Sequence, residues 1–408
     1  MLNKTRKCKS KCINLPKEKC YKGCIFTDHC RLSSKYIMNP INCKLMKRTH
    51  KILNQKVIPY SLRMPEKINV EKSYSPEINK LLVQSRYSPK YDIFQAITYC
   101  MNIDVAEYKL KDSILKYYIN PRVQLKNGEC VSYWNIEAQK MFLDNLSKHH
   151  NINISSLIVP KQSYYNCWFN TGFMMNYISD KGRKFNKYFR QYMITGKMKG
   201  MKPFLKKLKA PLFLFNIAIE ATLQGNALAK IMNTNDLIET IHENIPKEYK
   251  KFITTKKEYG NPYIYQISLI NYLSNNPYSY NFTDGYSLYK NIKNNGYFNT
   301  TKDIIWVEFD DKSSKEIDYK QSYILDQYKH KYILDSMLIR DTTKNHFCCL
   351  LTINDKEYMY DGASSPSLKP MKWKNNIFLN KDINFKMDSQ SVSWNTRNGY
   401  QVLNYYRI

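Results

Sequence analysis

The sequence predicts an α+β fold in two lobes, with a small cysteine-rich head in front. A helical lobe opens on the helix that begins at Cys167, and an antiparallel sheet lobe carries His346 and Asp361. Three observations predict this. After Cys167, Phe169, Phe173, Met174, Tyr177 and Ile178 recur at helical spacing and form one apolar stripe. Between Tyr332 and Tyr360, apolar runs are separated by the turn-like stretches Asp341-Thr-Thr-Lys-Asn and Asn354-Asp355. In the first 60 residues lie Cys8, Cys12, Cys20, Cys24, Cys30 and Cys43.

The elements follow in chain order. Residues 1–60 are basic and cysteine-dense. The C-x3-C pairs Cys8/Cys12 and Cys20/Cys24 are a candidate zinc set, although paired zinc thiols are more often two residues apart. A disulfide-stapled module is the alternative and needs an oxidising setting. Residues 61–90, polar with scattered prolines, read as a linker. Residues 91–150 read as helical, because Ile93, Ile97, Met101 and Val105 recur at four-residue steps. His149-His150 closes that segment, where cations at a helix C-terminus need no metal to explain them. The domain division expected is 1–60, 61–150 and 151–408.

Residues 182–209 mix Lys and Arg with Phe185, Tyr188, Phe189 and Tyr192. Such mixing grips single-stranded nucleic acid in some proteins, but helical periodicity explains the aromatics as a buried face. Pro211 to Leu228 reads as an apolar core helix. Residues 254–300, rich in Tyr, Asn and Gly, read as long substrate-facing loops. Tyr332–Arg340, Asn345–Ile353 and Lys356–Tyr360 read as three sequential strands. His346 then starts a central strand and Asp361 ends its neighbour.

Composition sets outer bounds. The 408 residues allow one large domain and a smaller one, and 43% hydrophobic content permits a sizeable core. Lys, Asn, Ile and Tyr are abundant and Gly is only 12, the bias of an A+T-rich genome such as that of a large DNA virus or some protists. The formal charge of +30 favours nonspecific contact with polyanions such as nucleic acid. No apolar run of 18 residues exists, so no transmembrane helix is expected. No apolar signal region is expected at the N-terminus. Eleven cysteines without a signal predict free thiols in a reducing compartment.

Cys167, His346 and Asp361 are the chemistry-bearing residues. A thiolate is favoured in the first turn of a helix and beside a histidine. Cys167 occupies such a turn in Gln162-Ser-Tyr-Tyr-Asn-Cys167-Trp168-Phe-Asn170. Read alone it is a buried core thiol, and His346 read alone is a surface histidine. A carboxylate at Asp361 would hold the imidazole in one tautomer and stabilise its cation. The Gln162 side-chain amide, five residues before the cysteine, is a candidate donor to a developing oxyanion.

These segments resemble the ubiquitin-specific protease family, within the wider papain-like fold. The family's cysteine box runs Asn-Leu-Gly-Asn-Thr-Cys-Tyr-Met-Asn-Ser, matched here at Gln162 for the first Asn, at Cys167, at the aromatic Trp168 and at Asn170. Asn345-His346-Phe347 and Tyr358-Met-Tyr-Asp361 resemble its histidine box, and Gly399-Tyr400-Gln-Val-Leu403-Asn-Tyr405 its closing strand. Tyr164 and Tyr165 replace the family's glycine and second asparagine, and Asn345 replaces the glycine before the histidine. The Cys-to-His interval is short, which implies a reduced or absent fingers-like insertion. Cys30 to Arg48, with Asn39-Pro40 and a basic stretch, resembles the two-cysteine adaptor segment of large DNA virus proteins.

The resemblance implies a thiol-dependent protease or isopeptidase that needs no cofactor. Its catalytic set would be Cys167, His346, Asp361 and Gln162. Its protein substrate would be ubiquitin, a ubiquitin-like modifier or a viral precursor, met in the host cytoplasm or the virion. The competing expectation is a non-catalytic, virion-associated, nucleic-acid-binding protein that keeps a protease-like fold.

Overall fold

The computed structural model describes residues 121–147, 152–197, 206–225, 228–250, 260–273, 280–310, 321–341, 346–378, 382–387, 390–395 and 399–408. Residue 100 and four short strands within 24–47 are also described. The chain divides into two compact units, Met1–Pro59 and Tyr60–Ile408. In the first, Cys24–Phe26 pairs antiparallel with Cys30–Leu32, and Tyr36–Met38 with Leu45–Lys47. The candidate zinc side chains Cys8, Cys12, Cys20 and Cys24 lie outside the described residues' side chains, as do His149-His150. The 61–90 linker also lies outside, as do Ile93, Ile97, Met101 and Val105; of the 91–150 segment, residue 100 and residues 121–147 are described.

The second unit is built on an eight-stranded sheet. Its strand order is Leu368–Pro370, Lys356–Tyr360, His346–Ile353, Lys331–Asp341, Tyr400–Arg407, Ile304–Phe309, Tyr280–Asp284, with Tyr323–Leu325 added beside Lys331–Asp341. The hairpins follow the sequence pattern. Asp341 faces His346 across one turn and Ile353 faces Lys356 across the next. Asn354 and Asp355 both take left-handed backbone, with φ of 49° and 59°, the requirement of a tight two-residue hairpin turn. The C-terminal strand sits between two others, and every residue from Tyr400 to Arg407 is buried.

Both faces of the sheet are covered. Phe347, Cys349, Leu351 and Ile353 face the cluster that holds the helices, while Cys348 and Leu350 face a second cluster with Trp373, Ile377 and Trp394. Alternate side chains point to opposite faces, so the strand His346–Ile353 reads as a continuous apolar run. Burying each such side chain stabilises by about 1.5–3 kcal/mol. The helix Lys209–Gln224 runs through the helical core and ends at Gly225 in left-handed conformation. Phe213 meets Phe142 of the helix Ile136–Ser147 edge-on at 5.0 Å, so that earlier segment shares the same core.

Four sequence expectations are corrected. The stretch 254–300 is not a set of long loops: it contains the helix Pro262–Leu273, the strand Tyr280–Asp284 and the helix Gly285–Asn295. Asp284 caps the last helix by accepting from the Ser287 N–H, and Gly296 ends it at φ 73°. The strand–helix–strand crossover makes Tyr280–Asp284 parallel to Ile304–Phe309, so the sheet is not wholly antiparallel. Cys100 and Cys130 form a disulfide, against the expectation of free thiols throughout; Cys167, Cys348 and Cys349 are free. Finally, the 91–150 segment is not helical throughout, since Arg122–Gln124 and Cys130–Ser132 pair as antiparallel strands before the helix Ile136–Ser147; Phe185, Tyr188, Phe189 and Tyr192 are buried in the core, as their helical periodicity implied. Among the described residues, no helix is long and apolar enough to cross a membrane, and no group of three His, Cys, Asp or Glu could hold a metal ion.

Candidate active site

Cys167 is the first residue of the helix Cys167–Phe173, which continues as a wider π-helical turn over Met174–Ile178. The helix starts there because its apolar face is complete: Trp168, Phe169 and Phe173 are buried against Phe215 and Tyr265. The preceding Asn166 makes no side-chain cap. Its amide is committed elsewhere, accepting from the Ser163 N–H at 2.9 Å and donating to Thr234 Oγ1 at 2.9 Å. The first turn is therefore positioned by neighbours and not closed by a cap. Cys167 is buried at the edge of the helical core cluster, 4% exposed.

His346 opens its strand and Asp361 follows the end of the next. His346 Nε2 lies 2.8 Å from Asp361 Oδ1, and Cys167 stands near enough to the imidazole to favour its charged form. With Nε2 engaged by the carboxylate, Nδ1 is the nitrogen left for the sulfur. Burial works against a charged ring, but the hydrogen bond to Asp361 and the neighbouring Cys167 outweigh it and raise His346 from 6.5 to about 9. The ring therefore carries its second proton at neutral pH.

Asp361 is fully buried and well supplied with donors. Its Oδ1 also accepts from the Ala363 N–H at 2.9 Å, and Oδ2 accepts from the Ser364 hydroxyl at 2.9 Å. Burial would raise its carboxyl; the His346 ring, the Ala363 N–H and the Ser364 hydroxyl outweigh that and hold it below the usual carboxylate range. Asp355, the other carboxylate near the hairpin, is at the opposite end of the strand pair, where its N–H donates to Asp180 Oδ2 at 2.9 Å.

Gln162 approaches from the other side. Its N–H donates to the Gly362 carbonyl at 2.8 Å, which ties the loop before Cys167 to the loop after Asp361. Its side-chain amide donates to the Tyr164 carbonyl over a long 3.4 Å, and its Oε1 has no partner among the described residues. Trp168 is turned inward: a Cβ on Gly260 would come within 2.2 Å of its ring. Asn170 is structural too, donating to the Lys161 carbonyl at 3.2 Å and accepting from the Thr234 hydroxyl at 2.5 Å.

The structure thus brings together Cys167, His346, Asp361 and the backbone of Gln162. Sequence reasoning missed Ala363, Ser364 and Gly362, which fix the carboxylate and the Gln162 loop. It also missed Trp394, whose ring centroid lies 5.7 Å from that of His346. The run Asp361-Gly-Ala-Ser-Ser carried a turn signal for the first three; nothing local marks Trp394, which comes from a separate hairpin.

No protein-family model matches the sequence, and no curated protein matches it. Among solved structures, the chain is similar to one from the SAGA DUB module, Ubp8/Sgf11/Sus1/Sgf73, bound to monoubiquitin. The TM-score is 0.40 at 8% identity, over 81% of this chain and 94% of that one.

Proposed function

We propose that this protein is a thiol-dependent peptidase or isopeptidase, with Cys167 as nucleophile, His346 as general base and acid, and Asp361 as the group that orients His346. One observation carries the reading. A free cysteine at a helix start stands beside an imidazole whose Nε2 is 2.8 Å from a buried carboxylate. A histidine protonated up to about 9 is the partner an attacking thiolate needs. The sulfur adds to the amide carbonyl, and the oxyanion draws on the Cys167 N–H and the Gln162 side chain. His346 Nδ1–H protonates the leaving amine, the C–N bond breaks and a thioester remains. Water, deprotonated by the now neutral His346, attacks the thioester, releasing the carboxylate product and the thiol.

The finer reading is that the acyl group belongs to ubiquitin or a ubiquitin-like modifier. Incubation with a ubiquitin C-terminal vinyl electrophile, read by intact mass, tests both levels. A ubiquitin adduct on Cys167, absent in Cys167→Ser and slowed at least 100-fold in His346→Gln, is the expected result. An adduct only with a small peptidyl electrophile would leave a peptidase and remove ubiquitin. No accelerated alkylation of Cys167 by either reagent would remove the peptidase as well.

A further inference from the structure

We propose that the hairpin of Asp382–Met387 and Gln390–Asn395 is a clamp on the active site, and that its Trp394 is a positioning residue that fixes the plane of the His346 ring and favours its charged form. This rests on the peptidase reading and adds a control point to the same site. Docking of the hairpin supports the imidazolium, and undocking removes that support.

The two strands pair antiparallel, and Trp394 stands opposite Ile383. Among the described residues this ladder joins no strand of the large sheet. A lone two-stranded hairpin is marginal in water and needs packing to persist. Trp394 supplies such packing. It is fully buried and shares a cluster with Trp373, Ile377, Cys348 and Leu350. Cys348 and Leu350 alternate with His346 on one face of its strand, so the hairpin docks where the imidazole stands. The ring centroids of Trp394 and His346 are 5.7 Å apart, with the planes tilted by 43°. That distance is aromatic contact. The residue that docks the hairpin is therefore the residue that meets the His346 ring.

Two physical effects follow from the contact. Asp361 bonds one ring nitrogen at 2.8 Å and so fixes a point of the imidazole. A packed aromatic neighbour fixes its plane, which keeps Nδ1 turned to the sulfur. The second effect is on charge. A cation within about 6 Å of an aromatic face is attracted to it, more strongly out of water, and Trp is the best such partner. Here the Trp394 side chain is buried and that of His346 is 12% exposed. The charged and titratable groups on the elements around the ring are Asp361 and Cys167, with Asp341 opposite in register on the neighbouring strand. Trp394 carries no charge, so replacing it leaves that set intact and removes only the ring's support.

The test titrates His346 in the full-length chain by NMR, with labelled histidine and with His346→Gln to assign its signal. Trp394→Leu should lower the midpoint by about one pH unit, the loss of a buried cation–aromatic contact. Trp394→Phe should shift it less than half as far. Amide hydrogen exchange over 382–395 should quicken in Trp394→Leu, because the same contact docks the hairpin. If Trp394→Leu does not fold, the wild type grown with 5-fluorotryptophan replaces it. Fluorine draws electron density from the ring face and barely changes its fit, so the midpoint should fall by several tenths of a pH unit, and should not fall in Trp394→Phe grown the same way. An unshifted midpoint or unchanged exchange in a folded Trp394→Leu overturns the clamp, as does an unshifted midpoint with 5-fluorotryptophan where that variant does not fold. Alkylation of wild-type Cys167 by iodoacetamide at pH 7 separates the two readings. If Cys167 reacts no faster than in the denatured chain, the peptidase reading fails and the clamp falls with it. If Cys167 is accelerated and the His346 midpoint ignores Trp394, the peptidase reading stands and the clamp is overturned.

Discussion

At Gln162 the side-chain amide spends its donor on the Tyr164 carbonyl at 3.4 Å, a long bond that a stronger acceptor displaces readily. The other candidate donors beside the cysteine are spent, since Asn166 is held by Thr234 and Ser163 and Trp168 is packed against Gly260. Gln162→Ala is therefore expected to lower kcat roughly 10²–10³-fold with KM nearly unchanged, measured on any cleaved substrate. A raised KM with kcat intact would make Gln162 a binding residue instead. Asp361→Asn should fold and lower kcat by up to roughly 10⁴-fold, because the amide favours the wrong imidazole tautomer. Turnover within tenfold of wild type would remove Asp361 from the orienting role. Cys167, His346 and Asp361 were legible in the sequence because residue type, chain order and strand ends all pointed one way. The donors that settle Asp361, from Ala363 and Ser364, were not, because loop closure decides which N–H and hydroxyl groups reach a carboxylate.

Two loops meet at Gly362, and the meeting is an element-scale property. A Cβ there would stand 2.8 Å from Tyr360 Oη and 3.1 Å from the Gln162 nitrogen. Tyr360 is itself anchored to the Pro160 carbonyl at 2.6 Å and has little room to move. Gly362→Ala should therefore push the Gln162 loop away from the Asp361 loop. The expected outcome is a destabilisation of about 1–3 kcal/mol, the usual cost of overpacking, read by denaturant melts. Activity should fall further than stability alone explains; a variant with lower Tm and wild-type kcat/KM would show that the two loops need not touch. The hairpins of 331–360 were legible because alternation and turn residues agree there. The stretch 254–300 was misread because Asn, Tyr and Gly look like loop composition. Here Asp284 and Gly296 are helix caps, and the composition belongs to the whole chain. The parallel pairing of Tyr280–Asp284 was hidden for the same reason, since it exists only because a helix forms between the two strands.

Across the larger unit, two lobes are held in register by a few carboxylates, and titration of the buried groups predicts how the protein responds to pH. Asp180 accepts from the Asn354 and Asp355 N–H groups at 2.9 Å each, which docks a helix of one lobe on a hairpin of the other. Asp335, on the sheet, accepts from the Lys181 N–H at 3.1 Å. Burial raises Asp335 from 3.8 to about 6, against the lowering effect of the Ser179 hydroxyl. A raised folded value means the native state binds the proton more tightly, so this contribution is complete below about 3.8 and is lost as pH rises through 6. His346 works in the same direction higher up: its contribution is complete below 6.5 and is lost as pH rises through about 9. Asp361, held low, contributes above 3.8 and loses that contribution as pH falls through its folded value. Tm measured from pH 6.5 to 9.5 should therefore decline in the wild type, and His346→Gln should flatten that slope while leaving the decline between pH 4 and 6, which Asp335 causes. The alkaline limb of kcat/KM should fall near 9, at the same proton. If His346→Gln declines over pH 6.5 to 9.5 as steeply as the wild type, the site does not hold an imidazolium, and the charge pairing that underlies the peptidase reading is absent.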